Sequence, residues 1–145
     1  MIQLLTKISL VMKKNFYRAF EDKYRGSREL ILGRLEFYRP FIEPLVKEFG
    51  RVPAIDLGCG RGEWLEVLLA AGLDARGVDL DSGMLQACAD LGLPAEKGEA
   101  IAHLRALPSK SQAVVSAFHV VEHIPFDALE ELASEAKRVL LPGGL

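Results

Sequence analysis

Val52-Pro-Ala-Ile-Asp-Leu-Gly-Cys-Gly-Arg-Gly-Glu-Trp64 runs apolar as far as Asp56, turns through glycines at 58, 60 and 62, and enters a helix-forming segment from Glu63 to Ala71. A buried strand, a tight loop and a helix N-terminus in this order let backbone N–H groups approach a nucleotide-like ligand. The spacing Gly58-x-Gly60-x-Gly62 comes close to the dinucleotide pattern G-x-G-x-x-G, but Glu63 stands where the third glycine belongs. The loop alone therefore leaves the ligand open.

Downstream, strands and helices alternate. Ala75 to Leu80 reads as a second strand closing on Asp79, and Asp81 or Ser82 caps a helix through Met84, Leu85 and Cys88 that stops at Gly92. Pro94 to Lys97 is a short third strand, followed by Gly98-Glu99-Ala100 and a helical turn around Ile101 and Leu104. Ala113 to Phe118 is a buried fourth strand, and Asp127 caps a last helix that Pro142-Gly143-Gly144 ends. This alternation predicts parallel βαβ units in an α/β, Rossmann-like, doubly wound sheet.

Upstream, a helical pattern starts at Ser27, an N-cap residue, and runs through Leu30, Ile31, Leu35 and Tyr38. Pro40 breaks it, and Phe41, Ile42, Leu45, Val46 and Phe49 resume an apolar face up to Gly50. Residues 13–28 interleave aromatic with basic residues. They read either as a helix packing its rings inward or as a lid whose Arg25 and Arg28 flank a glycine and hold an anionic group. Leu4, Leu5, Ile8, Val11 and Met12 suit one face of a helix that packs on the domain or a partner, in preference to a membrane surface. The expected division is an N-terminal helical segment, 1–50, and a ligand-binding domain, 51–145.

With 145 residues, 50% hydrophobic and 26% charged, the chain suits one globular domain. A net charge of -2 gives no general attraction to nucleic acid, so no nucleic-acid partner is expected. No apolar run reaches the roughly 18 residues of a membrane span, and no cleavage site follows the N-terminus, so no span or signal peptide is expected. Two cysteines, Cys59 and Cys88, form neither a disulfide framework nor a metal-type pair, which fits a reducing cytoplasm.

Charge narrows the ligand. A pyrophosphate at the loop would face the carboxylates of Asp56 and Glu63, with Arg61 as the nearby cation, whereas an ammonium and a sulfonium would gain from the same acids. Asp79, 19 residues after Gly60, is placed to accept two ribose hydroxyls. Cationic at one end and ribosyl at the other describes S-adenosylmethionine better than NAD.

At this point the chain resembles a known family. Ala54-Ile-Asp-Leu-Gly-Cys-Gly-Arg-Gly-Glu63 resembles motif I of the class I S-adenosylmethionine-dependent methyltransferases, and Gly77-Val-Asp-Leu-Asp81 resembles their second-strand acidic motif. Gly98-Glu99-Ala100 is similar to the turn that contacts adenine, with Glu99 where Asp is more usual. Ala117 to Ile124 resembles the fourth-strand motif, and Ala136 to Leu145 the approach to strand five. The resemblance implies that Asp56 and the backbone of Gly58, Cys59 and Gly60 hold the methionine part of S-adenosylmethionine. By the same likeness Asp79 binds the ribose, Leu80 packs on adenine, Glu99 and Ala100 edge it, and Phe118 and His119 lie near the methyl group. Cys59 is expected as a small wall of the pocket.

His119-Val-Val-Glu122-His123 also matches the inverted zinc-protease motif H-x-x-E-H. That motif needs a helix to bring its histidines to one face, and the strand before it and Pro125 after it leave room for one turn. Some methyltransferases bind a divalent metal here, but they tend to have Glu where this chain has His119, and no metal is expected. Histidine ordinarily titrates near neutrality, so His123, with His119 beside it, is a candidate base for an acceptor hydroxyl; the other reading is that Glu122 and His123 only shape the pocket.

The family's sheet runs 3-2-1-4-5-7-6, and the chain stops at Leu145, where strand five should begin. The expectation is thus a methyltransferase sheet truncated after four strands. Its fourth strand would be an open edge, weakly active alone or completed by an oligomer or second chain. Arg25-Gly-Ser-Arg-Glu29 with the Phe41–Phe49 helix resembles methyltransferase domains of bacterial surface-polysaccharide synthesis, which implies a glycan acceptor, with a small-molecule hydroxyl as the alternative. A non-catalytic cofactor- or partner-binding remnant, and an NAD-dependent oxidoreductase, remain as other readings.

Overall fold

The structure is a computed structural model and describes residues 26–145. The features expected before residue 26, including Arg25 and the apolar face at Leu4 to Met12, lie outside the described residues.

Helix α1 (Arg28–Leu35) opens at Ser27, whose hydroxyl accepts from the Leu30 N–H at 3.3 Å. A 3₁₀ turn (Glu36–Tyr38) joins it to α2 (Arg39–Phe49), capped at its C-terminus by Gly50. The break falls before Pro40, which sits in the first turn of α2. Proline is tolerated there because the N–H it lacks would have no intrahelical partner.

Strand β1 (Pro53–Leu57) leads into α3 (Glu63–Ala71), which Gly72 ends in the left-handed conformation. Strand β2 (Asp74–Asp79) leads to α4 (Ser82–Asp90), capped by Asp81, whose Oδ1 accepts from the N–H groups of Gly83 and Met84. Strand β3 (Ala95–Lys97), α5 (Ala100–Ala106), β4 (Val114–Ser116), a 3₁₀ turn (Val121–His123) and α6 (Phe126–Val139) complete the order. Two expectations are corrected. Strand β4 is shorter than Ala113 to Phe118, and α6 is entered from Pro125, not capped by Asp127. Proline's fixed φ sets the helix entry, and Asp127 instead lies in the first turn, where a carboxylate still favours the helix dipole.

The four strands are parallel in the order β3-β2-β1-β4. Each strand's alternate residues feed opposite faces of the sheet, so two apolar layers form. On one side Ala54 packs with Ile42 and Leu45 of α2 and Trp64, Leu65 and Leu68 of α3. On the other, Ile55, Leu57 and Val78 pack with Ile101 and Leu104 of α5 and Leu132 and Val139 of α6. Each such buried side chain is worth about 1.5–3 kcal/mol against exposure. Helix α2 therefore shares a core with the strand that carries the glycine loop.

The edge expected to be open is partly covered. The Leu145 N–H donates to the Ala113 carbonyl and the Val115 N–H to the Leu145 carbonyl, both at 2.8 Å, so Leu145 already pairs with β4 over one rung. No helix among the described residues is long and apolar enough to cross a membrane.

Candidate functional site

The register sets the site. Asp56 pairs with Gly77 of β2 and Ser116 of β4, so its carboxyl stands near the C-terminal end of the central strand. Strands leave β1 in opposite senses on its two sides, and ligands of open α/β sheets bind at such a reversal.

Asp56 is 2% exposed, and the Ser116 hydroxyl donates to its Oδ1 at 2.8 Å. Burial pushes its carboxyl up to about 7, against the pull of Ser116, and the charges of Asp79 and Glu63 push the same way. Asp79 holds the loop: its Oδ2 accepts from the Gly60 N–H and its Oδ1 from the Asp81 N–H, each at 2.8 Å. A carboxylate has about four acceptor sites, so both oxygens keep capacity for a ligand's hydroxyls.

Gly60 adopts φ +55, and a Cβ built there would meet nothing within 4 Å. Its missing side chain leaves the space beside the loop free for a ligand. Gly77 has the opposite reason, since a Cβ there would strike the Cys59 sulfur at 2.6 Å. Cys59 lines the larger cavity, and contact with Cys88 and burial push its thiol up.

Two cavities meet at Gly58, Gly60, Phe118 and His119. The first, about 490 Å³, has Asp56, Cys59, Glu63 and Trp64 on its floor and Arg34 and Tyr38 on its helical wall. The second, about 320 Å³, is lined by Asp79, Leu80, Glu99 and Ala100, with His123 also on its wall. Leu80 is 64% exposed and presents an apolar surface to that space. The Glu99 carboxylate is turned onto its own helix, where its two oxygens accept from the N–H groups of Ile101 (3.0 Å) and Ala102 (2.7 Å).

The expected site residues thus divide between two connected spaces. His119 lines both cavities, whereas His123 lines only the second. His119 has φ +57, unusual for a non-glycine residue, and its Nδ1 lies 3.2 Å from Glu122 Oε1. The segment Val121–His123 makes one 3₁₀ turn, so the H-x-x-E-H pattern has no helix to display it. Among the described residues no group of three or more His, Cys, Asp or Glu side chains is placed to hold a metal.

Arg28 does not stand free as an anion holder. Its guanidinium donates to Glu66 Oε2 (2.5 Å) and the Arg61 carbonyl (2.8 Å), tying α1 across the start of α3. Arg61 pairs with buried Glu63 at 2.8 Å. Sequence reasoning missed Ser116, Arg34 and Tyr38 as members of the site. A lone serine in the apolar run Ala113 to Phe118 was the available signal for Ser116. Nothing local marked Arg34 or Tyr38, which reach the site by the docking of α1 and the following turn. Tyr38 and Phe118 meet Trp64 edge-on, with ring centroids 6.0 and 5.3 Å from it.

Residues 55–145 match the family described as "Methyltransferase domain". A curated relative, a ubiquinone biosynthesis O-methyltransferase of Methylococcus capsulatus, is 32% identical over 72% of this chain and 45% of its own length. Among solved structures, an S-adenosylmethionine-dependent methyltransferase of Archaeoglobus fulgidus is 36% identical with a TM-score of 0.77, over 87% of this chain and 54% of that one. A protein of Pyrococcus horikoshii is 25% identical with a TM-score of 0.68, over 90% of this chain and 62% of that one. The chain therefore spans about half the length of the first two relatives.

Proposed function

The chain belongs to the methyltransferase-domain family, and from that premise we propose that it transfers the methyl group of S-adenosylmethionine to a hydroxyl of a sugar or small molecule. The carrying observation is the buried Asp56 beside an open-faced Gly60, with the Asp79 carboxylate closing the same loop at the reversal of strand order. These residues fit the cofactor. An acid held near neutrality by burial gains from a cation, the glycine leaves room, and Asp79 keeps acceptor capacity.

Asp56 and the Gly58–Gly60 backbone would hold the methionine end in the 490 Å³ cavity. Asp79 would hold the ribose hydroxyls in the 320 Å³ cavity, with Leu80 against adenine and Ala100 at its edge. Glu99 would contribute through its position at the start of α5, because both of its oxygens are engaged in capping. When bound, S-adenosylmethionine supplies a methyl group already activated by a sulfonium leaving group. The chain's own task is then to hold the acceptor in line, which alone supplies a large part of such a rate, and to exclude water. His119, shared by both cavities, is better placed than His123 to take the hydroxyl's proton.

A hydroxyl acceptor is supported by the relative named an O-methyltransferase. A glycan acceptor is supported by the likeness of Arg25–Glu29 and the following helix to polysaccharide-associated domains. We take 51–145 as the cofactor-binding domain and 1–50 as a separate N-terminal segment, of which the described part, α1 and α2, packs on the domain. Calorimetric titration with S-adenosylmethionine and S-adenosylhomocysteine tests the cofactor, and labelled methyl donor offered to a panel of glycans and small hydroxyl compounds tests the transfer. Saturable binding with labelling of hydroxyl acceptors is the expected result; a folded chain that binds neither cofactor form overturns the proposal.

A further inference from the structure

We propose that the acceptor carries an anionic group, a carboxylate or phosphate, held by Arg34, next to an apolar or aromatic body lying on the rings around Tyr38. The inference rests on the methyltransferase reading and adds the chemical class of the second substrate.

Arg34 lies in the last turn of α1 and lines the 490 Å³ cavity. The other described arginines at that cavity are committed. Arg28 is bound to Glu66 and to the Arg61 carbonyl, and Arg61 is paired with Glu63. Among the described residues the Arg34 side chain makes no ion pair or hydrogen bond, although it sits on the wall of a space that holds two buried acids. A guanidinium in that position presents a planar fork matched to a carboxylate or phosphate.

The cofactor accounts for the other charges. Asp56 would answer its ammonium and sulfonium, Glu63 being paired with Arg61, and its carboxylate would have the first-turn N–H groups of α3, which opens at Gly62 without a side-chain cap. Arg34 belongs to the helical wall and not to the loop, so its charge is left for a second ligand. That wall is aromatic. Phe37 is 71% exposed, Tyr38 is in edge contact with it at 5.4 Å, and Phe118 lies 5.3 Å from Tyr38. Trp64 below them buries an indole N–H that has no hydrogen-bond partner among the described residues. An anionic ligand with an apolar body would use the cation and the rings together, whereas a neutral polyol would leave the guanidinium unanswered.

The test is calorimetry on the chain saturated with S-adenosylhomocysteine, using 4-hydroxybenzoate, phenyl phosphate and the neutral isostere 4-hydroxybenzamide as probes. At least one anion should bind tenfold or more tighter than the amide. Arg34→Gln should abolish that difference, and Arg34→Lys should keep part of it. Comparing the two anions separates carboxylate from phosphate recognition. The affinity ratio of S-adenosylhomocysteine to methylthioadenosine, which lacks the amino-acid end, should be the same in Arg34→Gln as in the parent chain. A ratio that collapses would make Arg34 the partner of the cofactor's carboxylate and overturn the inference. So would equal binding of anions and amide by a chain that binds S-adenosylhomocysteine normally, with the methyltransferase reading left standing. Absence of S-adenosylhomocysteine binding would overturn both.

Discussion

Asp56 is buried with one hydroxyl donor to satisfy it, so its carboxyl keeps its proton up to about pH 7 in the ligand-free fold. The consequence for stability has a definite sign. Its folded pKa is raised above its ordinary value of 3.8, so the protonated form contributes stability that is fully present below about 3.8 and is lost as pH rises to about 7. The parent chain should therefore lose thermal stability across that window, by an amount on the order of a few kcal/mol. Asp56→Asn, which cannot ionise, should flatten that dependence and melt higher than the parent at pH 8 in calorimetric scans. A cationic ligand reverses the preference, because it favours the carboxylate. S-adenosylmethionine should bind more tightly as pH rises through about 7, and Asp56→Asn should lose tenfold or more in affinity by titration. The histidines separate at the same scale. If His119 takes the acceptor's proton, His119→Gln should lower kcat by about 10²–10⁴ with S-adenosylhomocysteine binding unchanged. His123→Gln should leave kcat near the parent value.

Elements are held to the site by contacts that their own sequences do not announce. Glu99 caps α5 with both oxygens, so Glu99→Ala should cost about 1 kcal/mol of stability in urea titration, and more than Glu99→Asp if the shorter side chain still reaches the two N–H groups. Helix α2 docks through Ile42, which is fully buried against the α3 side of the sheet. Ile42→Ala should cost about 2–5 kcal/mol and, by loosening the wall that carries Arg34 and Tyr38, should weaken binding in the larger cavity beyond the loss in stability. Helix boundaries were legible where a single residue imposes them. Ser27, Gly50 and Asp81 stop or start helices where expected, because capping is local chemistry. Asp127 misled because proline at 125 preempted it. Strand β4 came out shorter because its last apolar residues leave the ladder, Ala117 packing on the core layer of Ile55 and Leu57 and Phe118 turning into the wall of both cavities.

Among the described residues the two connected cavities lie between the sheet, the glycine loop and the wall of α1 and the turn after it, so binding there should register as global stability. At a free S-adenosylhomocysteine concentration of 100 times its Kd, linkage adds about 2.7 kcal/mol. At this chain length each kcal/mol shifts Tm by about 3–4 °C, so a rise of about 8–10 °C is expected in a thermal melt. A shift near zero at saturation would mean that the site is not formed in the native fold.

The sequence by itself determined the parallel βαβ order, the glycine loop between Asp56 and Glu63, the acid at Asp79 and, through those motifs, the family. Each of these depends on residues close in the chain, where strand alternation, helix periodicity and glycine's freedom act over a few positions. Tertiary structure alone decided what those residues meet. Ser116, 60 positions from Asp56, reaches its carboxyl only because β4 pairs with β1. His119 faces both cavities because its backbone turns left-handed after β4. Arg28 is tied to α3, and Arg34 is left on the cavity wall, because α1 folds back across the loop. Charge pairing depends on distance in space, and no spacing along the chain encodes which cations are spent and which remain.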